Sequence, residues 1–154
     1  MSMIIDGTNG LTFNNATTQA SAGQVLQVVN ATSNYTASTT STTFVSTSIT
    51  ASITPKFSTS KILVTISGSF YNSNLNYNGG VTIYRNSTNI SPATYFSAPL
   101  ATNVTPLILS IQDSPATTSS TSYTLYIKTN NAGTTLFIGD GSGACTITLQ
   151  EIAA

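Results

Sequence analysis

Ser60-Lys61-Ile62-Leu63-Val64-Thr65-Ile66-Ser67-Gly68-Ser69-Phe70 decides the fold class. Ile62, Val64, Ile66, Gly68 and Phe70 share one parity, while Thr65, Ser67 and Ser69 fall on the other. Successive side chains of a strand point to opposite faces, so this is a strand with one buried and one wetted side. A helix would instead need apolar residues three and four apart. The same alternation returns on both sides of this stretch. Val45, Ile49, Ala51 and Ile53 carry it upstream. Downstream it continues through Val81-Thr82-Ile83-Tyr84-Arg85, Leu107 to Ile111, Tyr123/Leu125/Ile127, Leu136/Ile138 and Cys145/Ile147/Leu149. Asn86-Ser87-Thr88-Asn89, Gly79-Gly80 and the glycines from 139 to 143 read as turns between runs. The pattern predicts an all-β chain, an antiparallel jelly-roll-like β-sandwich of roughly eight to ten strands.

Before the alternation starts, the chain has a different character. Met3, Ile4 and Ile5 lead into Asp6-Gly7-Thr8-Asn9-Gly10, then Leu11-Thr12-Phe13. Asp-Gly and Asn-Gly are strong hairpin signals, so short strands flank a turn here. Gly23 to Val29 reads as another strand, and residues 30–43 are almost all Ser, Thr, Asn and Ala, the composition of a linker or long extended loop. The expected organisation is an N-terminal anchoring segment with a Ser/Thr-rich linker over 1–41 and a sandwich head over 42–154. Met3, Ile4, Ile5, Leu11 and Phe13 are the candidate anchor residues.

Composition narrows function further. Of 154 residues only 5% are charged, and formal net charge is zero. Ser and Thr make up roughly a third of the chain, far above ordinary usage. With 40% hydrophobic residues the chain still fills a core, and it stays wetted through hydroxyls and amides. Thr is polar and β-branched, which suits the outer face of a strand. Scattered cations cannot displace phosphate counterions, so nucleic acid is excluded as a partner, and anionic membrane surfaces fall with it. No run approaches the length of a membrane span, and the first residues lack the basic and apolar regions of a secretory signal. The expectation is synthesis in a cytoplasm without standard export.

Catalysis has little to draw on. The absence of His rules out Ser-His-Asp and Cys-His pairs, and it removes the commonest zinc ligand. Four carboxylate side chains, Asp6, Asp113, Asp140 and Glu151, leave two-carboxylate glycoside hydrolysis formally open and nothing more. Asp140-Gly141-Ser142-Gly143 has too few carboxylates for a calcium loop and reads as a hairpin turn. Cys145, alone, reads as a small buried hydrophobe. No catalytic residue, cofactor or metal is expected.

Binding chemistry rests on aromatic and amide side chains. Tyr71, Asn72, Asn74, Asn76, Tyr77 and Asn78 fall in the expected loop 70–80, and Tyr95 and Phe96 in a second loop over 92–98. Rings beside amides can hold a sugar by stacking and hydrogen bonding. Rings are equally at home in cores and subunit contacts. Leu63, Tyr84, Ile108, Tyr126 and Phe137 are apolar at outward positions. They read either as scattered exposed residues or as a subunit interface, and the interface is favoured because one core cannot use both faces.

Three segments resemble small phage virion proteins. Ile5-Asp6-Gly7-Thr8-Asn9-Gly10-Leu11-Thr12-Phe13 with Thr17-Thr18-Gln19 is similar to the N-terminal element of tail-fibre and head-fibre chains, though Asn15-Ala16 stands where Asp-Gly is usual. Gly23 to Val29 resembles the link to their head domain. Ile53-Thr54-Pro55-Lys56, Ser60 to Val64, Asp113 to Thr118 and Thr146 to Ile152 together look like C1q/TNF-like jelly-roll domains. The resemblance implies a homotrimer on a virion surface, made in the bacterial host cytoplasm. Its expected partners are itself, other virion proteins of capsid or tail, and a host surface glycan. It implies a short fibre or spike that contacts the host. The alternative is a capsid decoration protein that stabilises the head. A bacterial adhesin module is disfavoured by the missing signal peptide.

Overall fold

The computed structural model describes residues 4–6, 10–12, 18–19, 23–34, 37–74, 77–97, 105–139 and 144–154. Near the N-terminus, β1 (Ile4–Asp6), β2 (Gly10–Thr12) and β3 (Thr18–Gln19) form a small antiparallel sheet in that order. The Asp6–Gly10 pairing closes the first hairpin where the turn residues predict it.

The remaining strands build two sheets facing each other. The first holds β4 (Val25–Ser33), β5 (Ala37–Thr39), β7 (Lys61–Asn72), β11 (Thr105–Asp113), β13 (Leu136–Ile138) and β14 (Cys145–Ile152). The second holds β6 (Val45–Ile53), β8 (Asn78–Arg85), β9 (Thr88–Asn89), β10 (Thr94–Ser97) and β12 (Thr121–Thr129). β13 and β14 follow one another along one edge of β7, β4 and β5 do the same along β14 and β13, and β9 and β10 along β8. Counted as single positions, these give eight, and each pairs with its mirror in the chain. First pairs with eighth (β4–β14), second with seventh (β6–β12), third with sixth (β7–β11) and fourth with fifth (β8–β10). That is a jelly roll.

Alternation explains which residues fill it. Ile62, Val64, Ile66 and Phe70 of β7 meet Tyr123, Leu125 and Ile127 of β12, with Ile49, Ile53, Ile83, Leu107, Leu136, Ile138, Ile147 and Leu149 around them. Burying one such side chain contributes about 1.5–3 kcal/mol. On the outer faces, hydroxyls pair across strands instead. Ser52 and Ser122 meet at 2.7 Å, Thr50 and Thr124 at 2.8 Å, and Thr32 and Thr146 at 3.1 Å. Each such pair contributes about 0.2–1 kcal/mol, and none depends on charge.

The structure departs from the sequence expectation in four places. Residues 30–33 and 37–39 are sheet, so the sandwich starts upstream of residue 42 and the linker reading does not hold there. Ala31 and Ala37 pack against the core and Thr39 is buried, but small and polar inward residues hide the alternation. Gly79 and Gly80 lie inside β8 and are no turn. A side chain at Gly79 would collide with Leu136, so glycine serves close packing there. Tyr95 and Phe96 stand on β10, not in a loop. The turn after β8 is shorter than read, with Asn86 at φ 52 and Arg85 already paired to Thr88. Asn tolerates that left-handed backbone better than most residues.

Candidate functional site

The strand pairings place the loops at two poles. Gly23, the 54–60 segment, Asn86 and the 114–120 segment share one pole, together with the end of β14. The 40–44 and 130–135 segments share the other, with residues 73, 74 and 77. β7 spans the distance in 12 residues, roughly 40 Å.

At the first pole the charges are consumed internally. Glu151 is fully buried, and its Oε1 accepts the Lys56 amide at 2.7 Å while Oε2 accepts the Gln27 amide nitrogen at 2.6 Å. Burial alone would raise its pKa, but hydrogen bonds from Gln27 and from the Lys56 and Phe57 backbone outweigh that and hold it below the ordinary carboxylate value. Lys56 reaches the Leu26 carbonyl at 3.2 Å, and Lys61 the Ser114 hydroxyl at 2.7 Å. Arg85 pairs with Asp113 at 2.9 Å and 3.0 Å. Tyr123 hydrogen-bonds to the same carboxylate, and burial with that partner pushes its phenol pKa up.

The outer face of the second sheet carries rings from near the first pole to the second. Tyr84 and Tyr126 stack with centroids 3.8 Å apart. Two residues along β12, the Lys128 ammonium lies 4.9 Å from the Phe44 ring centroid and 5.2 Å from that of Tyr95. Gly80 sits opposite both Lys128 and Tyr95, and its missing side chain makes room for them. A Cβ there would stand 3.2 Å from Lys128 Cγ and from Tyr95 Cε1. Phe44 and Lys128 were not among the sequence candidates. The sequence signal was the parity of β12, which puts Lys128 on the face of Tyr126.

The candidate receptor residues separate. Asn72 is fully buried, donating to the Tyr77 carbonyl at 3.1 Å and accepting the Asn74 amide at 3.2 Å, so it braces the loop and offers nothing to a ligand. Phe96 turns inward onto Phe70, centroids 4.4 Å apart. Tyr95 is 56% exposed. Tyr71 stacks on Phe137 at 4.4 Å on the outer face of the first sheet. Tyr77 and Asn78 are half-buried and Asn74 is exposed, while Asn76 lies outside the described residues. The candidate interface residues also split. Leu63, Ile108 and Phe137 face outward from the first sheet, with Ile108 73% exposed, and Tyr84 and Tyr126 from the second. Among the candidate anchors, Ile4, Ile5 and Leu11 stand on β1 and β2, and Met3 and Phe13 lie outside the described residues. So does the 140–143 turn.

The described residues hold no group of three or more His, Cys, Asp or Glu that could bind a metal. Fold and surface thus define an eight-position jelly roll with a ring-bearing outer face. No family model matches the chain, and no curated protein does. Solved structures do. The infectious bursal disease virus VP2 subviral particle aligns over 90% of this chain with TM-score 0.50 and 16% identity. The structure of the Gx strain of infectious bursal disease virus aligns over 100% with TM-score 0.51 and 18% identity. The chain spans about two fifths of the length of those proteins, 40% and 42%. The likeness establishes the shared fold.

Proposed function

We propose that this chain is a non-enzymatic structural protein of a phage virion, a trimeric surface appendage that contacts the host. The observation that carries the reading is polarity. The chain leaves its N-terminal segment at Gly23 on one pole, and the Lys128, Tyr95 and Phe44 end of the ring-bearing face lies toward the other. An N-terminal anchor on capsid or tail would then hold the rings outward. The shared fold with a protein solved as a viral particle supports a virion role. In the trimer, the outer face of the first sheet is the subunit contact, through Leu63, Ile108 and Phe137. Burying Ile108 there removes the most exposed large apolar side chain described.

A capsid decoration role is the second reading, favoured by the particle-forming nature of the structures that share the fold. Antibody-gold labelling of intact virions separates the two. Label on a few projecting appendages supports host contact, label spread over the head supports decoration, and no label on any particle sinks both.

A further inference from the structure

We propose that the outer face of the second sheet binds an acidic glycan. Tyr95 and the Tyr84–Tyr126 pair are its stacking platforms, and Lys128 holds the sugar carboxylate. The inference rests on the host-contact reading and names the partner chemistry for that surface.

Its first support is the state of the cations. Arg85, Lys56 and Lys61 each give their nitrogens to an oxygen acceptor at 2.7–3.2 Å. Lys128 is placed differently, with its ammonium over two ring faces. A ring attracts the charge but leaves the three N–H donors short of a lone pair, so an incoming anion finds them ready. The carboxylates on the described sandwich strands are engaged elsewhere, Asp113 with Arg85 and Glu151 in its buried clasp. The face therefore carries a positive charge with no counter-ion among the described side chains.

Next comes the shape of the site. Gly80 lets Lys128 lie flat along the sheet beside Tyr95. That orders a side chain whose rotamers would otherwise cost free energy on binding. Tyr126 and Lys128 are two residues apart on one strand, about 7 Å, so ring stacking and carboxylate binding fall within reach of neighbouring sugar units. Exposed hydroxyls of the Ser and Thr ladders border the rings. One ammonium is too little for nucleic acid, which needs several phosphates neutralised together. A second copy packed here with a two-fold axis near Lys128 would set like charge against like.

Isothermal titration of the full chain tests this with oligogalacturonate, hyaluronan and sialyllactose, each beside a neutral sugar of matching size. At least one acidic sugar should bind, with affinity falling as salt rises and the neutral counterpart at least about tenfold weaker. Lys128→Gln should erase that preference, and Tyr95→Ala should weaken binding with the thermal midpoint unchanged. Equal binding of acidic and neutral sugars overturns the proposal, as does no binding of any up to millimolar concentration. So does a change of oligomeric state in Lys128→Gln by sedimentation, which would make the face a subunit contact. Gold label on projecting appendages without acidic-sugar binding defeats this inference alone, and sugar binding without label on any particle defeats the virion reading alone.

Discussion

Tyr123 donates its phenolic hydrogen to Asp113 Oδ2 at 2.7 Å, and the two residues belong to opposite sheets. Arg85, on the strand beside Tyr123, closes on the same carboxylate. One side chain of the first sheet thus holds two of the second at the pole where Gly23 lies. Tyr123→Phe should cost about 1–2 kcal/mol, since it removes one hydrogen bond to a charged acceptor. Asp113→Ala should cost more, about 2–3 kcal/mol, because Arg85 and Tyr123 both lose their partner. Solvent exposure of Arg85 keeps the figure below that of a fully buried pair. Urea unfolding of the two variants checks the order, and equal midpoints would refute it.

Glu151 makes stability depend on pH. Its folded pKa lies below the ordinary 4.5, so its contribution is complete above that value and is lost as pH falls through the folded one. Thermal midpoints should therefore drop as pH is lowered from 6 toward 3. Glu151→Gln should flatten that drop while lowering the midpoint at pH 7, where a neutral amide replaces the acceptor of the Lys56 amide. A variant as acid-sensitive as the parent would show that other groups dominate.

Gly68 and Cys145 should be energetically coupled. A Cβ at Gly68 would stand 2.8 Å from the Cys145 sulfur and 3.3 Å from its Cα. Gly68→Ala should cost about 1–3 kcal/mol by overpacking. Adding Cys145→Ala should recover part of that, since the sulfur leaves but the backbone stays, and a double-mutant cycle reads the coupling. The native thiol should also resist alkylation at pH 8, because burial pushes its pKa up to about 11. Additive costs, or rapid labelling of the folded protein, would contradict this packing.

The proposed trimer contact through the first sheet makes a directional prediction. Ile108→Lys or Leu63→Lys should turn trimers into monomers in sedimentation velocity, with the circular dichroism of the sandwich retained. Tyr126→Lys, on the opposite sheet, should leave the trimer intact. The reverse result would move the interface to the ring-bearing face.

Strand interiors were legible because large residues alternate with Ser and Thr. Ile62 through Phe70, Tyr123 through Ile127 and Cys145 through Leu149 all point inward as their parity demands. The first strand position was not legible past Val29, because Ala31, Ser33, Ala37 and Thr39 give no contrast with their neighbours. Glycine misled at 79–80 because it signals turns and tight packing alike, and only the neighbours Leu136, Lys128 and Tyr95 decide between them. Loop assignment misplaced Asn72 and Phe96 for a similar reason. Whether an amide braces its own loop or faces outward depends on where the next strand returns. The ring-and-ammonium face needed residues from β6's flank, β10 and β12 brought together, which local periodicity cannot join.

Pairing between β4 and β14 also decides how the molecule bears force. A tether at Gly23 and a grip at the far pole would pull β4 lengthwise against a ladder running from Val25–Ile152 to Ser33–Cys145. Antiparallel hydrogen bonds lie perpendicular to the strands, so such a pull is shear, and the rungs yield together or not at all. Tension on a tethered particle would meet its stiffest resistance along this axis.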